Sequence, residues 1–443
     1  MKKNSQHRRK TNEKGGRNIF HSLQAFGKLS QSQWERLAES VNNPSWQSES
    51  WDSDDFDDDP LLYGIYVSDK KHYLFRDYES GLKAIAWMND HGYYITVIIH
   101  LDNLLIGQHK INLPTADDLT RIRDRFIEDV FTLGWLDEML PIPSFERDPT
   151  REKAFEIIGH FYDSLKIQRV DPAVDITGLT HDQIQAYAYV LNRGKWSNGR
   201  QHFNTIQNPD RPHPKTFLES CCLESLVKAD SGKTVTSVRI NCYDKEAMFR
   251  SVMDDPEKKC KPSPKKVEAA KGIFRVEVQC WTPYIKNLLD RHIITSRNIS
   301  DIITPDFSRM ILSQYLQQFG GTSDYWKLST ADRKIRTSTK KIEAPSMRMK
   351  LRQFLKLLQA TYESNEKMLP LDEALRVVAN QMGIGMETVS EYRQRLLELN
   401  INPITLPNDS NVKHLPNLLS VVLAQYPQTA EREEKQIENQ LTS

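Results

Sequence analysis

Two charged, strand-like segments near the middle of the sequence carry residue types that could cut DNA. The first contains VRINCYDKE, and the second reads FRVEVQC and is followed by Tyr284. Because successive side chains of a strand point to opposite faces, Glu277 shares a polar face with Arg275 and Gln279. These segments therefore combine an acid, several cations and a hydroxyl nucleophile, which are the groups needed to transfer a phosphodiester to a tyrosine.

Strand cleavage by a tyrosine also needs groups that manage charge. The ordinary pKa of tyrosine, about 10, leaves little phenolate at neutral pH, so a metal ion or a base must help. A divalent cation held by carboxylates would polarise the phosphate, and a side chain such as Lys245 would steady the developing charge. Glu277 is the first candidate metal ligand, with Mg²⁺ or Mn²⁺ as the expected cofactor. Tyr284 and Lys245 are the candidate catalytic residues.

A shorter upstream strand, RVDPAVDIT, offers two more carboxylates. Asp171 and Asp175 are four residues apart, so both point to one face of an extended segment, roughly 13 Å from each other. One metal ion can use both only if the strand bends at Pro172. Asp175 is the stronger candidate ligand, because Asp171 has the alternative of orienting Arg169 or Arg275.

Alternating strand and helix patterns surround these segments. Strand-like runs span 62–67, 93–99, 169–177, 234–243 and 273–281, and helix-like runs span 150–165 and 181–191. Another helix is predicted from an N-cap at Thr115 to a stop at Gly134. Pro283 fits the first turn of the helix that carries Tyr284. Together these patterns predict an α+β fold around an antiparallel or mixed sheet.

The C-terminal segment VVANQMGIGMETVSEYRQRLL has the spacing of a helix-turn-helix. Ala379 is small where two helices would cross, Gly383 can adopt the positive φ of a turn, and Val389 would lock the helices together. The candidate DNA-binding residues, on the second helix and upstream of it, are Thr388, Ser390, Arg393, Gln394, Lys350 and Arg352. The alternative is an ordinary three-helix packing domain, which the acidic Glu387 and Glu391 favour.

Composition limits the remaining classes of protein. A chain of 443 residues predicts two or three domains, and 60 Lys and Arg against 59 Asp and Glu leave almost no net charge. Five cysteines without a CxxC pair indicate reduced thiols and a cytoplasmic location. The sequence has no run of 18 apolar residues, so no membrane span is expected.

The run VRINCYDKEAMFR, FRVEVQC and a following tyrosine resembles the core of rolling-circle replication initiators. These include trans-acting plasmid Rep proteins, related conjugative relaxases and gene II replication proteins of filamentous phages. The resemblance covers roughly residues 165–325. It implies an RRM-like palm with a metal-dependent tyrosine nuclease. It also implies Asp175 and Glu277 as metal ligands, Lys245 as a phosphate-side helper and Tyr284 as the nucleophile.

The sequence departs from these families at two points. The interval between Glu277 and Tyr284 is short, which leaves Tyr315 and Tyr325 open as the nucleophile. The metal-binding His-x-His motif of the larger HUH class is absent, since the histidines at 100, 160, 202 and 213 are isolated in the sequence.

The resemblance implies a replication initiation protein that binds an origin and nicks one DNA strand, which starts rolling-circle replication of a plasmid or phage. The expected partners are double-stranded origin DNA, single-stranded DNA, a host helicase and the replication machinery, and a homodimer is one option. Two alternatives stay open. One is a conjugative relaxase acting at a transfer origin, and the other is a non-enzymatic DNA-binding regulator.

Changes in composition predict the domain boundaries. Residues 1–18 carry seven Lys and Arg, and residues 52–59 carry six Asp, so 1–60 is expected to be a disordered segment, basic and then acidic. The other predicted units are a small α+β region at 61–148, the initiator nuclease domain at 149–328, a basic linker at 329–348, a helical helix-turn-helix-like domain at 349–427 and a polar tail at 428–443.

Overall fold

The computed structural model of this chain describes residues 19–41, 66–68, 72–77, 81–107, 112–134, 148–191, 193, 203–205, 220–228, 232, 234–254, 261–317, 319, 321–338, 345–364 and 371–426. The predicted basic arm at 1–18, the aspartate run at 52–59 and the polar tail from 428 lie outside these residues. The fold is α+β, as the sequence predicts, and its described strands build one large antiparallel sheet and one small one.

Strands rich in β-branched and aromatic residues form the large sheet. Its ten described strands are β1 Phe20–Leu29, β2 Tyr66–Ser68, β3 His72–Asp77, β4 Leu82–Asn89, β5 Gly92–His100, β6 Lys166–Ile176, β7 Phe203–Thr205, β8 Ser220–Lys228, β9 Thr234–Asp244 and β10 Phe274–Trp281. Their spatial order is β2-β3-β4-β5-β1-β6-β10-β9-β8-β7. The small sheet pairs β11 Tyr325–Trp326 with β12 His414–Leu415.

This order divides the large sheet into two halves with the same connectivity. In the first half, β1 pairs with β5, the last strand of that half, and the remaining strands follow in reverse order to β2. In the second half, β6 pairs with β10, and the order then runs back to β7 in the same way. The antiparallel pair β1–β6 joins the halves at the centre of the sheet. The predicted boundary near residue 148 therefore separates two halves of one continuous sheet.

Helices follow the strands and cover their apolar side. The described helices that precede β10 are α1 Gln31–Val41, α2 Leu101–Ile106, α3 Ala116–Leu119, α4 Ile122–Leu133, α5 Asp148–Ser164, α6 His181–Leu191, α7 Lys245–Asp254 and α8 Pro264–Ala269. Those that follow β10 are α9 Thr282–Asp290, α10 Ile299–Ile302, α11 Pro305–Leu316, α12 Leu328–Thr337, α13 Pro345–Ser364, α14 Leu371–Met382, α15 Met386–Glu398 and α16 Leu418–Leu423. The core lies between them and the buried faces of Val174, Val276, Val278 and Ile240.

Local sequence signals place many of these elements correctly. Thr115 and Asp118 form a capping box at the start of α3, and Gly134 ends α4 in a left-handed conformation with φ 61°. Pro283 lies in the first turn of α9. Gly383 has φ 65° between α14 and α15, and Val389 is buried.

Two expectations need correction. The N-terminal segment 1–60 is not disordered throughout, because residues 20–29 form β1 at the centre of the sheet and α1 follows. The stretch 329–348 is not simply a basic linker, because residues 329–337 belong to α12, whose Ala331 and Ile335 are buried, and residues 345–348 begin α13. In the part of the chain that the structure describes, no helix is both long and apolar enough to cross a membrane.

Candidate functional site

The polar face of the second half of the sheet collects the charged residues singled out in the sequence. On β10, Arg275, Glu277 and Gln279 alternate with buried apolar residues that face the helices. The antiparallel register sets Arg275 opposite Asp175 of β6 and opposite Tyr243 of β9. Side chains directly opposite each other in neighbouring strands share a face. The predicted shared face of Glu277, Arg275 and Gln279 is therefore confirmed.

A local irregularity of β1 brings two consecutive residues to this face. The register between β1 and β6 shifts between Phe20 and Leu23, so that His21 and Ser22 both lie opposite the single residue Asp171. Such a bulge breaks the alternation of a strand and is common next to functional sites. His21 consequently reaches toward β10, while the Ser22 hydroxyl donates a hydrogen bond to the Asp171 carboxylate.

His21, Asp171 and Glu277 form a compact group, here called the His–carboxylate cluster. One potential ligand atom from each residue lies within 4.8 Å of the other two. His21 Nδ1 is 3.1 Å from Glu277 Oε2. The Glu277 side chain is 3 % exposed and that of His21 is 24 % exposed, so the cluster opens to solvent on the histidine side. A neutral imidazole and two carboxylates are a donor set that divalent cations accept.

A second group shares His21 and lies nearer the surface. Its other members are the exposed His100, at the end of β5, and Asp102, in the first turn of α2. The ring centroids of His21 and His100 are 6.1 Å apart, and His21 Nε2 is 3.8 Å from Asp102 Oδ2. His100 is isolated in the sequence, but the fold places it beside another histidine.

Asp175 belongs to a different network, which is almost completely buried. Arg275 donates two hydrogen bonds to its carboxylate, at 2.8 and 3.0 Å, and Lys245 Nζ donates a third at 3.3 Å. Lys245 occupies the first position of α7, where Asp244 caps the helix by accepting from the Glu246 backbone N–H at 2.9 Å. Among the described residues, Asp175 is thus paired with cations and is not a member of either metal-type group.

The carboxylate oxygens of Asp171 are also paired with a cation. Arg169 donates to both of them, at 2.9 Å each, which is the pairing that the sequence offered as an alternative to metal binding. Its guanidinium also stacks on Trp281, with 4.7 Å from Cζ to the ring centroid. Asp171 and Asp175 share a face, as predicted, but they serve separate networks instead of one metal ion.

Burial and neighbouring charges shift the pKa values of these groups in opposite directions. Burial alone would raise the pKa of Glu277, but His21, Gln279 and Arg275 lower it to about 2. Burial and the neighbouring Glu277 raise the pKa of Asp171, against the effect of Arg169. Burial would lower the pKa of His21, but Glu277 and Asp102 hold it above its ordinary value. Glu277 is therefore the permanently charged carboxylate of the cluster.

Burial and neighbouring charges also shift the pKa values of Lys245 and Asp175 in the buried network. Burial and the nearby Arg275 lower the pKa of Lys245 to about 8, although Asp175 opposes this effect. Burial would raise the pKa of Asp175, but Arg275 and Lys245 keep it below its ordinary value. Lys245 can consequently exchange a proton near neutral pH, which fits a general acid or base better than an ordinary lysine does.

Tyr284, the candidate nucleophile, lies on the other side of the sheet. Its side chain is buried beneath β10 at the start of α9, where its hydroxyl donates to Gln314 Oε1 at 2.8 Å and its ring packs edge-on against Tyr315. Burial raises the pKa of Tyr284. The structure does not bring it together with Glu277. The alternatives Tyr315 and Tyr325 are also buried in the core, with exposures of 2 % and 1 %.

Tyr243 is a tyrosine on the polar face of the second half of the sheet. It is the Tyr of the YDKE segment, lies opposite Arg275 and is partly exposed. Burial and the neighbouring Glu277 and Asp175 carboxylates raise the pKa of Tyr243, and Arg275, through charge and a hydrogen bond, offsets only part of this rise. A hydroxyl beside a guanidinium and near two carboxylates has the neighbours that a nucleophile at this site would need.

The candidate DNA-binding residues lie on two helices of the C-terminal part. On α15, Ser390 and Gln394 are exposed, and Thr388 and Arg393 are half-buried. On α13, Lys350 is exposed, whereas Arg352 donates to both oxygens of Asp332 at 2.8 and 3.1 Å. Arg352 therefore has a protein partner, and the remaining residues are accessible to a ligand.

Sequence reasoning missed His21, His100, Asp102 and Tyr243. A signal for β1 was present, because the small or apolar residues at 23, 25, 27 and 29 alternate with Gln24, Phe26 and Lys28, but the adjoining basic arm obscured it. No protein-family model and no curated protein sequence matches this chain.

Proposed function

We propose that this protein is a replication initiator that nicks one DNA strand through a tyrosine at the polar face of the sheet. The observation that carries the proposal is the His–carboxylate cluster, which lies on the same face as Tyr243, with the Arg275–Asp175–Lys245 network beside it. The resemblance of the YDKE and RVEVQ segments to initiator motifs agrees with this placement. The RRM-like palm that the resemblance implies would correspond to the second half of the sheet.

A divalent cation fits the cluster by its donor set. His21, Glu277 and Asp171 would hold it, and if Arg169 kept the Asp171 carboxylate, His21, His100 and Asp102 would be the alternative ligand set. Carboxylate oxygens suit Mg²⁺ and Mn²⁺, and the imidazole nitrogen favours Mn²⁺ of the two. When bound, such an ion would polarise the scissile phosphate and neutralise part of its charge.

The protein residues supply the remaining steps. The Tyr243 oxygen attacks phosphorus and gives up its proton, the bond from phosphorus to the 3′ oxygen breaks, and that oxygen takes up a proton to become a free 3′ hydroxyl. The DNA then carries a 5′-phosphotyrosine. Arg275 acts from beneath the surface, where its charge and hydrogen bond favour the phenolate of Tyr243 against burial and the nearby carboxylates, and Lys245 neutralises Asp175 beside it.

Recognition of duplex origin DNA is assigned to the C-terminal helices. The left-handed Gly383 and the buried Val389 and Tyr392 give α14 and α15 a fixed relation, and α15 presents Ser390 and Gln394 to solvent. These features support a helix-turn-helix role for this pair. A site that finds DNA and a site that cuts it would then lie on different parts of the chain.

The test is formation of a covalent protein–DNA adduct. The substrates are a supercoiled plasmid carrying the DNA that flanks the gene for this protein and a random-sequence single-stranded library, each with Mg²⁺ or Mn²⁺. Wild type should give relaxed circles and an adduct that survives denaturation, and mass spectrometry should locate the DNA on Tyr243. Tyr243→Phe should abolish the adduct, while Tyr284→Phe should retain it.

The outcomes separate the alternatives. An adduct on Tyr284 or on another tyrosine would move the nucleophile but keep the reaction. Absence of relaxed circles and adducts on both substrates, together with sequence-specific duplex binding, would refute the enzyme and favour a DNA-binding regulator. Chelation by EDTA should stop adduct formation by wild type, because the carboxylates without a cation would repel the phosphate.

A further inference from the structure

The first half of the sheet presents aromatic side chains on the same face that carries the cluster. The register pairs Trp87 of β4 with Tyr94 of β5, and Thr96 of β5 with Phe26 of β1. All three rings are partly exposed, whereas the alternate residues Ala86 and Ile95 are buried. Large rings on the open face of a sheet add nothing to the core behind it, so their presence points to a ligand.

Two of these rings form a rigid platform. Trp87 and Tyr94 stack with their centroids 4.6 Å apart and their planes 22° apart. The indole Nε1 of Trp87 donates to Thr96 Oγ1 at 3.1 Å, which fixes the orientation of the ring. A stacked pair held in this way can receive another flat ring at little cost in side-chain entropy.

Cations accompany the aromatic rings. Lys28 is exposed and lies opposite Tyr94, and Lys166 is exposed and lies opposite Phe26. The Arg297 guanidinium lies 5.4 Å from the centroid of Phe26. Aromatic rings that stack on bases, interleaved with cations that contact phosphates, are the combination that binds single-stranded nucleic acid.

The aromatic surface continues into the His–carboxylate cluster. Moving along the strands toward the end of β5, the next positions on the face are Gln24, Arg169 and Trp281, which lie opposite one another across β1, β6 and β10. The row after that contains His100, Ser22 and Asp171. Neighbouring rows are two residues apart, roughly 7 Å along the strands. A DNA strand that crosses these rows in order would arrive at the cluster.

We propose that Trp87, Tyr94 and Phe26, with Lys28, Lys166 and Arg297, form a binding surface for single-stranded DNA that leads the scissile phosphate to the His–carboxylate cluster. This inference rests on the proposed strand-nicking function and names how its substrate is held. The surface selects a single strand because the bases of a duplex stack on each other and offer no free faces to protein rings. The row spacing exceeds the roughly 3.4 Å rise of a stacked strand, so the DNA would be extended.

Direct binding in EDTA tests the surface without any cleavage. The probe is a fluorescent 20-nucleotide oligo-dT, and the readout is anisotropy with the full-length protein. Trp87→Phe and Trp87→Leu both remove the hydrogen bond to Thr96, but only Trp87→Leu removes the ring. Trp87→Phe should bind within about twofold of wild type, and Trp87→Leu should bind about five- to tenfold more weakly, since one stacked base is lost.

Lys28→Glu provides a second variant at an exposed position that does not endanger folding. It should weaken oligo-dT binding and reduce the salt dependence of binding by about one phosphate contact. Lys153→Glu, at an exposed position of α5, is the matched control and should leave binding unchanged. Urea unfolding of each variant separates loss of binding from loss of structure.

The results either support or overturn the proposal. Equal binding by wild type, Trp87→Leu and Lys28→Glu would overturn it, as would equal affinity for a duplex of the same length. No binding of oligo-dT by wild type would overturn it as well. The nicking assay is independent, because Trp87→Leu can lose oligo-dT binding in a protein that forms the Tyr243 adduct, and a protein that binds oligo-dT in EDTA can fail to cut.

Discussion

The two halves of the large sheet have the same strand connectivity but opposite chemistry on the same face. Counting back from the last residue of β5 and of β10, Thr96 occupies the position of Glu277, and Tyr94 occupies that of Arg275. On the paired strands, Lys28 corresponds to Asp175. The first half fills these positions with a threonine, a tyrosine ring and an exposed lysine, and the second half fills them with buried charged residues.

The comparison shows that the backbone of the sheet does not by itself determine the chemistry of its open face. Antiparallel pairing decides which side chains share a face, but the side-chain types decide whether that face binds a ligand or carries out chemistry. Charges in the second half are buried because each has a partner of opposite sign nearby, such as Arg275 with Asp175. The half with rings can remain open, because stacked aromatic side chains tolerate contact with water at their edges.

The largest expected effect comes from Glu277→Gln. We expect metal-dependent nicking to fall about a thousandfold, since the charged ligand is lost and a bound cation supplies several kcal/mol of charge stabilisation. Thr96→Val at the corresponding position of the first half should change nicking by less than about threefold. Initial rates of plasmid relaxation measure both. Equal losses in the two variants would show that the halves do not divide the functions as proposed.

Asp175→Asn tests the buried network of the second half. Removing this carboxylate leaves Arg275 and Lys245 buried without their anion, so the free energy of unfolding should fall by about 3–5 kcal/mol. Lys28→Ala, the corresponding change in the first half, should stay within about 0.5 kcal/mol of wild type because Lys28 is exposed. Urea unfolding measures both values. A stable Asp175→Asn protein would contradict the assignment of Asp175 to a structural ion network.

The smallest effect concerns His21, at the junction of the halves. Its pKa is raised above 6.5 by Glu277 and Asp102, against the effect of burial. The protonated imidazole therefore contributes stability that is complete below pH 6.5 and is lost as the pH rises through the raised pKa. Urea unfolding between pH 5.5 and 8.5 should show this loss in wild type and a flatter profile in His21→Gln. His100→Gln, with its exposed ring, is the control, and a wild-type slope retained in His21→Gln would assign the titration to another group.

Local signals in the sequence determined several strand faces, helix bounds and turns. The alternation in FRVEVQC placed Glu277 with Arg275 and Gln279, because the side-chain period of a strand is two in any sheet. The bounds of α6, and the turn residues Gly134 and Gly383, also followed from near neighbours in the chain. Helix caps and positive-φ turns depend on a few adjacent residues, so the sequence alone carries them.

Only the tertiary structure decided which distant residues meet. His21 and His100 come together because β1 pairs with β5 on one side and with β6 on the other, and a bulge turns His21 toward Glu277. Tyr284 is carried to the opposite face because α9 packs its apolar side beneath the sheet. Strand pairing and helix packing depend on contacts far apart in the chain, and no local pattern around Tyr284 encodes the side of the sheet on which it lies.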